Sequence, residues 1–242
     1  MGSIFTATFN FAEFRAIAPI NEVNLWAFLL DRHGEHISVK RRKPALENLE
    51  KIFTTTFRLA NEVGFREMTL RDLCRETGLS MGGLYGYIQS KDQLAEMIED
   101  VIRHVGQALP TWVSHLALPL DRLEGMLRTH IYCSEILQPW FYFVYMESRV
   151  LQAEQRKTAK SAELHFQAQI ADSIEETGLL PSEEAHLLAA HCLALVQDWH
   201  VKRWKYQAAK ISVDAFADSA VRMVRTYLQS LPLLAGSRAR RT

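Results

Sequence analysis

The chain has 242 residues, of which 48% are hydrophobic, and its formal net charge is zero. This length is enough for two modest domains with a hydrophobic core, and the composition excludes disordered and fibrous proteins. No long apolar run follows the first basic residue, Arg15, so we expect no secretory signal, no membrane contact and a cytoplasmic location. Three cysteines without paired metal-ligand spacing indicate reduced, buried thiols.

The N-terminal residues 1–39 differ in pattern from the rest of the chain. Apolar residues between Val23 and Leu30 predict one or two amphipathic helices, and another surface must cover their apolar face. The basic run 40–43 follows, and residues 40–91 contain ten lysines and arginines against six acidic residues. Two interpretations of residues 40–43 stay open: an arm that contacts DNA phosphates or the minor groove, and a solvated linker.

Helical periodicity dominates the remainder of the chain. Apolar residues recur at helical spacing over 45–63, and Gly64 follows as a stop signal. Pro110 and Pro119 predict a boundary or a broken connector. Long helices are predicted at about 120–137, 140–177 (kinked or split), 181–206 and 212–230. No segment sustains the alternation of a strand, so the fold class is all-α.

Two short helices at residues 69–76 and 80–88 form a predicted helix-turn-helix. Thr69 with Asp72 gives a capping box, Gly78 allows the tight turn, and Ser80 caps the second helix. The core of the motif is predicted to contain Leu73, Leu79, Leu84 and Ile88. The second helix also contains Gly82, Gly83 and Gly86, each of which costs about 0.5–1 kcal/mol relative to alanine. Close approach to a major-groove wall explains them, with a loose loop or a tightly packed helix pair as the alternative.

The segment from Thr69 to Leu94 resembles the DNA-binding segment of the TetR (tetracycline-repressor-like) family of bacterial transcriptional regulators. The resemblance includes the Gly-Leu-Ser turn, the Leu-Tyr pair at 84–85, the aromatic residue two positions later and the Ser-Lys pair at 90–91. With the preceding helix it covers about residues 45–95. Cys74, Thr77 and Ile88 depart from the usual alanine, alanine and phenylalanine of the family, and we interpret these as core substitutions.

This resemblance implies an N-terminal three-helix helix-turn-helix domain and a C-terminal helical domain for ligand binding and dimerisation. The implied division is a helical extension with a basic arm (1–43), a DNA-binding domain (44–92) and an effector-binding and dimerisation domain (93–242). The implied function is a ligand-responsive repressor that binds double-stranded operator DNA as a homodimer and is released by a small, largely apolar effector. No cofactor is implied.

The resemblance also assigns individual DNA contacts. Tyr85, Tyr87 and Lys91 fall at phosphate-contacting positions, while Arg71 and the face around Met81 fall where the family meets bases. Packing against the first helix is the alternative for both tyrosines. The full predicted set is Arg71, Ser80, Met81, Gly82, Gly83, Tyr85, Gly86, Tyr87 and Lys91.

The C-terminal half gives a less specific pattern. An aromatic run at 140–146 predicts an apolar effector pocket lined by Met126, His130, Cys133, Phe141, Tyr142, Tyr145 and Phe166, with plain core packing as the alternative. Arg149, Lys202 and Arg203 are candidates to orient an acidic head group, as in an acyl thioester, with surface ion pairing as the alternative. Dimerisation is predicted through about residues 181–230, on the apolar surface of Leu187, Leu188, Leu195, Trp199, Phe216, Val221, Val224 and Leu228.

Metal and catalytic sites are not expected. His186 and His191 are five residues apart, which places them on different faces of a helix, and no acidic partner has ligand spacing. No nucleophilic serine motif, phosphate loop or catalytic Cys/His signature occurs. The alternative function is an all-helical enzyme or ligand carrier with a non-functional DNA-binding segment.

Overall fold

The structure, a computed structural model, describes residues 9–147 and 153–239, and these residues form twelve α-helices and no strand. This confirms the all-α fold class. Residues 1–8 of the predicted N-terminal extension, Arg149 and residues 240–242 of the predicted effector domain lie outside the described residues. The predicted domain division itself stays a prediction.

The helices, in chain order, are α1 (Phe11–Ile17), α2 (Leu25–His33), α3 (Arg42–Val63), α4 (Leu70–Thr77), α5 (Met81–Tyr85), α6 (Lys91–Val113), α7 (Pro119–Ile136), α8 (Gln138–Glu147), α9 (Ala153–Glu175), α10 (Ser182–Val201), α11 (Arg203–Ala208) and α12 (Val213–Ala239). They belong to two compact units. We call residues 19–105 and 137–160 the helix-turn-helix unit, and residues 1–18, 106–136 and 161–242 the long-helix unit.

The core of the helix-turn-helix unit is centred on α3. Leu49, Ile52 and Phe53 are fully buried at the helical spacing that predicted this helix. The Phe53 ring stacks on Trp140 of α8 with centroids 5.0 Å apart. Aromatic pairs at this distance add to the stability that burial alone provides. The stacking therefore fixes α8 on the helix that also supports the turn motif.

The N-terminal helix α2 packs on the same unit. Leu29 is fully buried, and the Trp26 ring lies 6.2 Å from Phe53. Arg32 Nη2 donates to Asp100 Oδ1 over 2.9 Å. Burial opposes ionisation of this carboxyl, but hydrogen bonds from Arg32 and His33 hold the pKa of Asp100 well below its ordinary value. The apolar face of α2 therefore packs on protein, as predicted, whereas Val23 before the helix is exposed.

The long-helix unit is organised around α7, which packs against α10 and α12. Tyr132 at its centre is fully buried and donates its hydroxyl proton to Asp214 of α12 over 2.6 Å. Phe11 N of α1 donates to the same carboxylate oxygen over 2.8 Å. The Phe14 ring contacts Tyr132 with centroids 5.6 Å apart. The first described residues of the chain are therefore part of this core.

The connector predicted near Pro110 and Pro119 lies at residues 114–118, and α7 begins at Pro119. Pro110 itself does not end a helix, because α6 continues through it to Val113. An internal proline costs about 3 kcal/mol, and complete burial of Leu109 and Val113 contributes about 1.5–3 kcal/mol each, which offsets it. The split predicted within 140–177 falls on residues 148–152, which lie outside the described residues, and stays a prediction.

Candidate nucleic-acid interface

The turn between α4 and α5 is formed by local hydrogen bonds. Asp72 N donates to the Thr69 hydroxyl over 3.1 Å, and Thr69 N donates to the Asp72 carboxylate over 3.0 Å. α4 ends at Thr77, and its C-cap Gly78 has a φ of 73°, in the left-handed region that favours glycine. Ser80 then accepts a hydrogen bond from Gly83 N over 3.1 Å. The predicted caps and turn are therefore present.

The small core predicted for this motif is largely formed. Leu73, Leu84 and Ile88 are fully buried, whereas Leu79 is half-buried at the turn. Burial of α4 and α5 through these residues fixes the angle between the two helices. It leaves Arg71 and Tyr85 exposed, Tyr85 to 49%.

The two glycines of α5 and its C-cap Gly86 have different environments. A Cβ atom at Gly82 would meet nothing within 4 Å, so this position is open for approach by another molecule. A Cβ at Gly83 would lie 3.2 Å from the Ser80 hydroxyl. At Gly86 it would lie 3.3 Å from Ser38 Oγ and 3.4 Å from Val39 Cγ2. Among the three, Gly82 faces open space, whereas Gly83 and Gly86 also lie close to neighbours within the chain. Contact of these glycines with DNA stays a prediction.

The predicted phosphate-contacting residues also differ. Tyr87 is buried, and its hydroxyl accepts a hydrogen bond from Asn48 Nδ2 over 2.9 Å. This geometry favours the packing role that the sequence left open for Tyr87. Lys91 Nζ donates to the Arg66 carbonyl over 2.7 Å and lies 5.1 Å from the Phe65 ring centroid. Burial lowers the pKa of Lys91, and its ammonium group must leave this carbonyl to reach a phosphate.

The base-contacting candidates lie at the start of α4 and α5. Arg71 is exposed, and no ion pair of this side chain is present among residues 9–147 and 153–239. Arg75, one turn later on α4, instead pairs with Asp72 over 2.9 Å and with Glu76 over 3.3 Å. Met81 is half-buried, with its sulfur 3.3 Å from Cys74 Sγ. Arg71 is therefore the more available of the two α4 arginines.

Two residues that shape this surface were missed by the sequence analysis. Asn48 holds the Tyr87 hydroxyl, and Ser38 N donates to the Gly86 carbonyl over 3.0 Å. Neither had a local signal, because an isolated polar residue on a helix or loop does not indicate a partner 39 or 48 positions away. Only the tertiary fold brings these pairs together.

The predicted effector-pocket residues belong to both units. Met126, His130, Cys133 and Phe166 lie in the long-helix unit, and all four are buried. His130 stacks on Phe166 with ring centroids 5.4 Å apart and lies 6.1 Å from the His200 ring. Burial lowers the pKa of His130 to about 3 and that of His200 to about 4. Both imidazoles are therefore neutral near pH 7.

The remaining pocket candidates lie in the helix-turn-helix unit. Phe141 is buried, Tyr145 is 50% exposed, and Tyr142 lines a cavity of about 150 Å³. This cavity lies between α3 and α8 and is lined by Phe57, Ala60, Asn61, Pro139, Tyr142, Phe143, Met146 and Glu147. Of the candidates for an acidic head group, Lys202 pairs with Asp198 over 3.3 Å and Arg203 Nε donates to Glu135 over 2.9 Å. Both basic side chains thus already have acidic partners.

Neither a metal site nor a membrane-spanning helix occurs within the described ranges. No group of three or more histidine, cysteine or acidic side chains there has a geometry suited to a metal ion. None of the helices in those ranges combines the length and the apolar character that crossing a membrane requires.

Comparison with known proteins supports the assignment of the motif. Residues 52–98 match the family described as "Bacterial regulatory proteins, tetR family". The HTH-type transcriptional regulator HbdR of Aromatoleum sp. (strain CIB) is 22% identical over 164 residues, which are 66% of this chain and 72% of that protein.

Similar folds occur among solved structures. The structure of AibR in complex with isovaleryl coenzyme A and operator DNA aligns with a TM-score of 0.61 at 21% identity, covering 72% of this chain and 96% of that one. FadR from Bacillus subtilis in complex with stearoyl-CoA aligns with a TM-score of 0.55 at 13% identity, covering 73% and 97%.

Proposed function

Because residues 52–98 match the family described as "Bacterial regulatory proteins, tetR family", we propose that this chain is a ligand-responsive repressor of that family. It binds operator DNA as a homodimer in the cytoplasm and is released by a small, largely apolar effector. The observation that carries the proposal is the capped helix-turn-helix, with Arg71 exposed and open space over Gly82. A helix with this geometry fits the major groove.

The proposed DNA contacts divide into reading and positioning. Arg71 donates to guanine O6 and N7, with Met81 against a thymine methyl group and Gly82 allowing close approach. Tyr85 and Lys91 contact phosphates, which positions the helix without reading sequence. The other predicted contact residues, Ser80, Gly83, Gly86 and Tyr87, then support the shape of the motif.

The proposed dimer interface is the exposed apolar surface on α10 and α12, two helices that pack against each other. Leu187 is 59% exposed, Met223 57% and Tyr227 45%. A two-fold interface through these helices buries this surface. The list predicted from the sequence needs correction, because Trp199, Phe216, Val221, Val224 and Leu228 are already buried within the chain's own core. Of that list only Leu187 is exposed, while Leu188 and Leu195 are half-buried.

The proposed effector is an acyl thioester. The named ligands of the two similar structures, isovaleryl coenzyme A for AibR and stearoyl-CoA for FadR, support this chemical class. The proposed lining residues Met126, Cys133 and Phe166 are apolar and fully packed, so an acyl chain must displace them to enter. That requirement favours the long-helix unit as a bistable element, because binding then changes its packing.

The alternative function, an enzyme or ligand carrier, is weaker, and a DNA-binding experiment distinguishes it from a repressor. Operator sequences are first selected from a random duplex pool with the full chain. Arg71→Ala should weaken binding to the selected DNA by about 1–3 kcal/mol. It should also relax the base preference at one base pair per half-site. Arg75→Ala is the matched control and should leave the preference intact, because Arg75 is already paired within α4. A wild-type chain that selects no sequence contradicts the repressor function. If Arg71→Ala weakens binding to selected and random DNA equally, Arg71 does not read bases.

A further inference from the structure

The segment between α2 and α3 lies directly beside the recognition helix α5. We call residues 38–43 the basic arm. Its first residue, Ser38, donates its N–H to the Gly86 carbonyl over 3.0 Å, and its hydroxyl lies 3.5 Å from the same oxygen. Ile37, immediately before it, is buried. The arm is therefore anchored at the C-terminal end of α5.

The absence of a side chain at Gly86 permits this approach. A Cβ atom there would lie 3.3 Å from Ser38 Oγ, tighter than ordinary van der Waals contact, and 3.4 Å from Val39 Cγ2. Gly86 therefore lies beside the start of the basic arm. The arm and the recognition helix thus form one continuous surface within the helix-turn-helix unit.

Both ends of the basic arm are held by the fold. Upstream, α2 is fixed by the buried Leu29 and by the hydrogen bond from Arg32 to Asp100. Downstream, α3 begins at Arg42, whose guanidinium group pairs with Asp31 of α2 over 2.6 Å. A segment fixed at both ends loses little conformational entropy when it binds a partner. A freely solvated linker would have neither anchor.

Apart from Arg42, the basic residues of the arm are not paired with acidic side chains within the described part of the chain. Lys40, Arg41 and Lys43 are exposed, and none of them has an ion pair among residues 9–147 and 153–239. Three neighbouring cations held beside a recognition helix match the regular row of phosphates on a duplex.

We propose that the basic arm is a second DNA-contacting element, in which Lys40, Arg41 and Lys43 contact backbone phosphates that flank the base pairs met by α5. This inference rests on the proposed function, and it assigns a partner to a surface outside the family-matched residues 52–98. Because the contacts are to phosphates, they add affinity and salt dependence, and they position α5 without reading sequence.

The test compares Lys40→Ala/Arg41→Ala with Lys157→Ala/Lys160→Ala, a control that removes the same charge from exposed lysines of α9. Binding of the full chain to a selected operator is measured by fluorescence anisotropy over a series of KCl concentrations. Each lost phosphate contact makes the slope of log K against log salt less negative by about 0.9. Loss of two contacts in each of two subunits should therefore make it less negative by about 3.6. The control slope should equal that of the wild type.

The outcomes separate the arm from the repressor function. If the wild-type chain selects no operator, both proposals fail. A second outcome is that the wild type binds selectively, but Lys40→Ala/Arg41→Ala keeps the wild-type salt slope or loses no more affinity than the control. In that case the arm alone is refuted, and the segment is a solvated linker. Duplexes with single methylphosphonate linkages provide a second readout. Neutralising particular flanking phosphates should weaken binding of the wild type but not of the arm variant. If the same phosphates matter equally to both proteins, the arm is also refuted.

Discussion

Acidification should destabilise the long-helix unit through two buried histidines. The folded-state pKa values of about 3 for His130 and about 4 for His200 lie well below the ordinary 6.5 of an accessible histidine, because burial disfavours the charged ring. As pH falls below about 6.5, the unfolded chain takes up protons that the folded chain does not, so stability is lost as the pH decreases. At about pH 5 the pH is about 1.5 units below the pKa of an unfolded histidine. The stability lost is then about 2 kcal/mol for each buried histidine.

The assay is guanidinium unfolding near pH 7 and near pH 5, followed by tryptophan fluorescence. His200→Gln and His130→Gln should each reduce the pH-dependent loss by about 2 kcal/mol relative to the wild type, whatever their effect on stability at neutral pH. His191→Gln, an exposed position on the same helix as His200, is the control and should keep the full loss. Other titrating groups, such as Glu99 and His104, contribute to every variant and cancel in the comparison. An identical pH dependence in the wild type and both buried-histidine variants would refute the reasoning.

Three further predictions concern packing, the turn and assembly. Leu29→Ala should lower the free energy of unfolding by about 2–5 kcal/mol in urea titrations, because the side chain is fully buried. The control Val23→Ala, at a 91% exposed position, should change it by less than about 0.5 kcal/mol. Equal effects of the two substitutions would contradict the packing of α2. Gly78→Ala should cost about 1–2 kcal/mol in the same titration, because φ is 73°, and an unchanged midpoint would refute backbone strain there. Leu187→Glu/Met223→Glu should sediment as a monomer with helical circular dichroism retained, and a persistent dimer would place the interface elsewhere.

Features fixed by neighbouring residues were predictable from the sequence. The Thr69 and Ser80 caps and the left-handed Gly78 each depend on contacts within about four positions, and a local pattern records such contacts directly. The helix-turn-helix followed from these signals without knowledge of the rest of the fold.

Features that depend on distant partners were not predictable. The sequence indicated that residues near Trp26 need a covering surface, but nothing in it specified Phe53 and Trp140 as that surface. The sequence predicted DNA approach at Gly86, but it did not indicate that Ser38 and Val39 also lie beside this glycine, because both are distant in the sequence. A local pattern can show that a side chain is absent for steric reasons, but it does not identify which atoms occupy the space.

The aromatic run at 140–146 shows the same limit inside a single helix. Because successive residues on a helix point about 100° apart, a continuous run cannot face one pocket. Trp140 and Phe143 accordingly enter the core of the helix-turn-helix unit, while Tyr145 is half exposed. Composition alone suggested a single lining, whereas helical geometry distributes these rings among different surroundings. For the proposed effector, the more informative residues are therefore those of α7 and α9 that are buried around His130. Substitutions there should change the response to the proposed effector and leave the proposed DNA contacts unchanged.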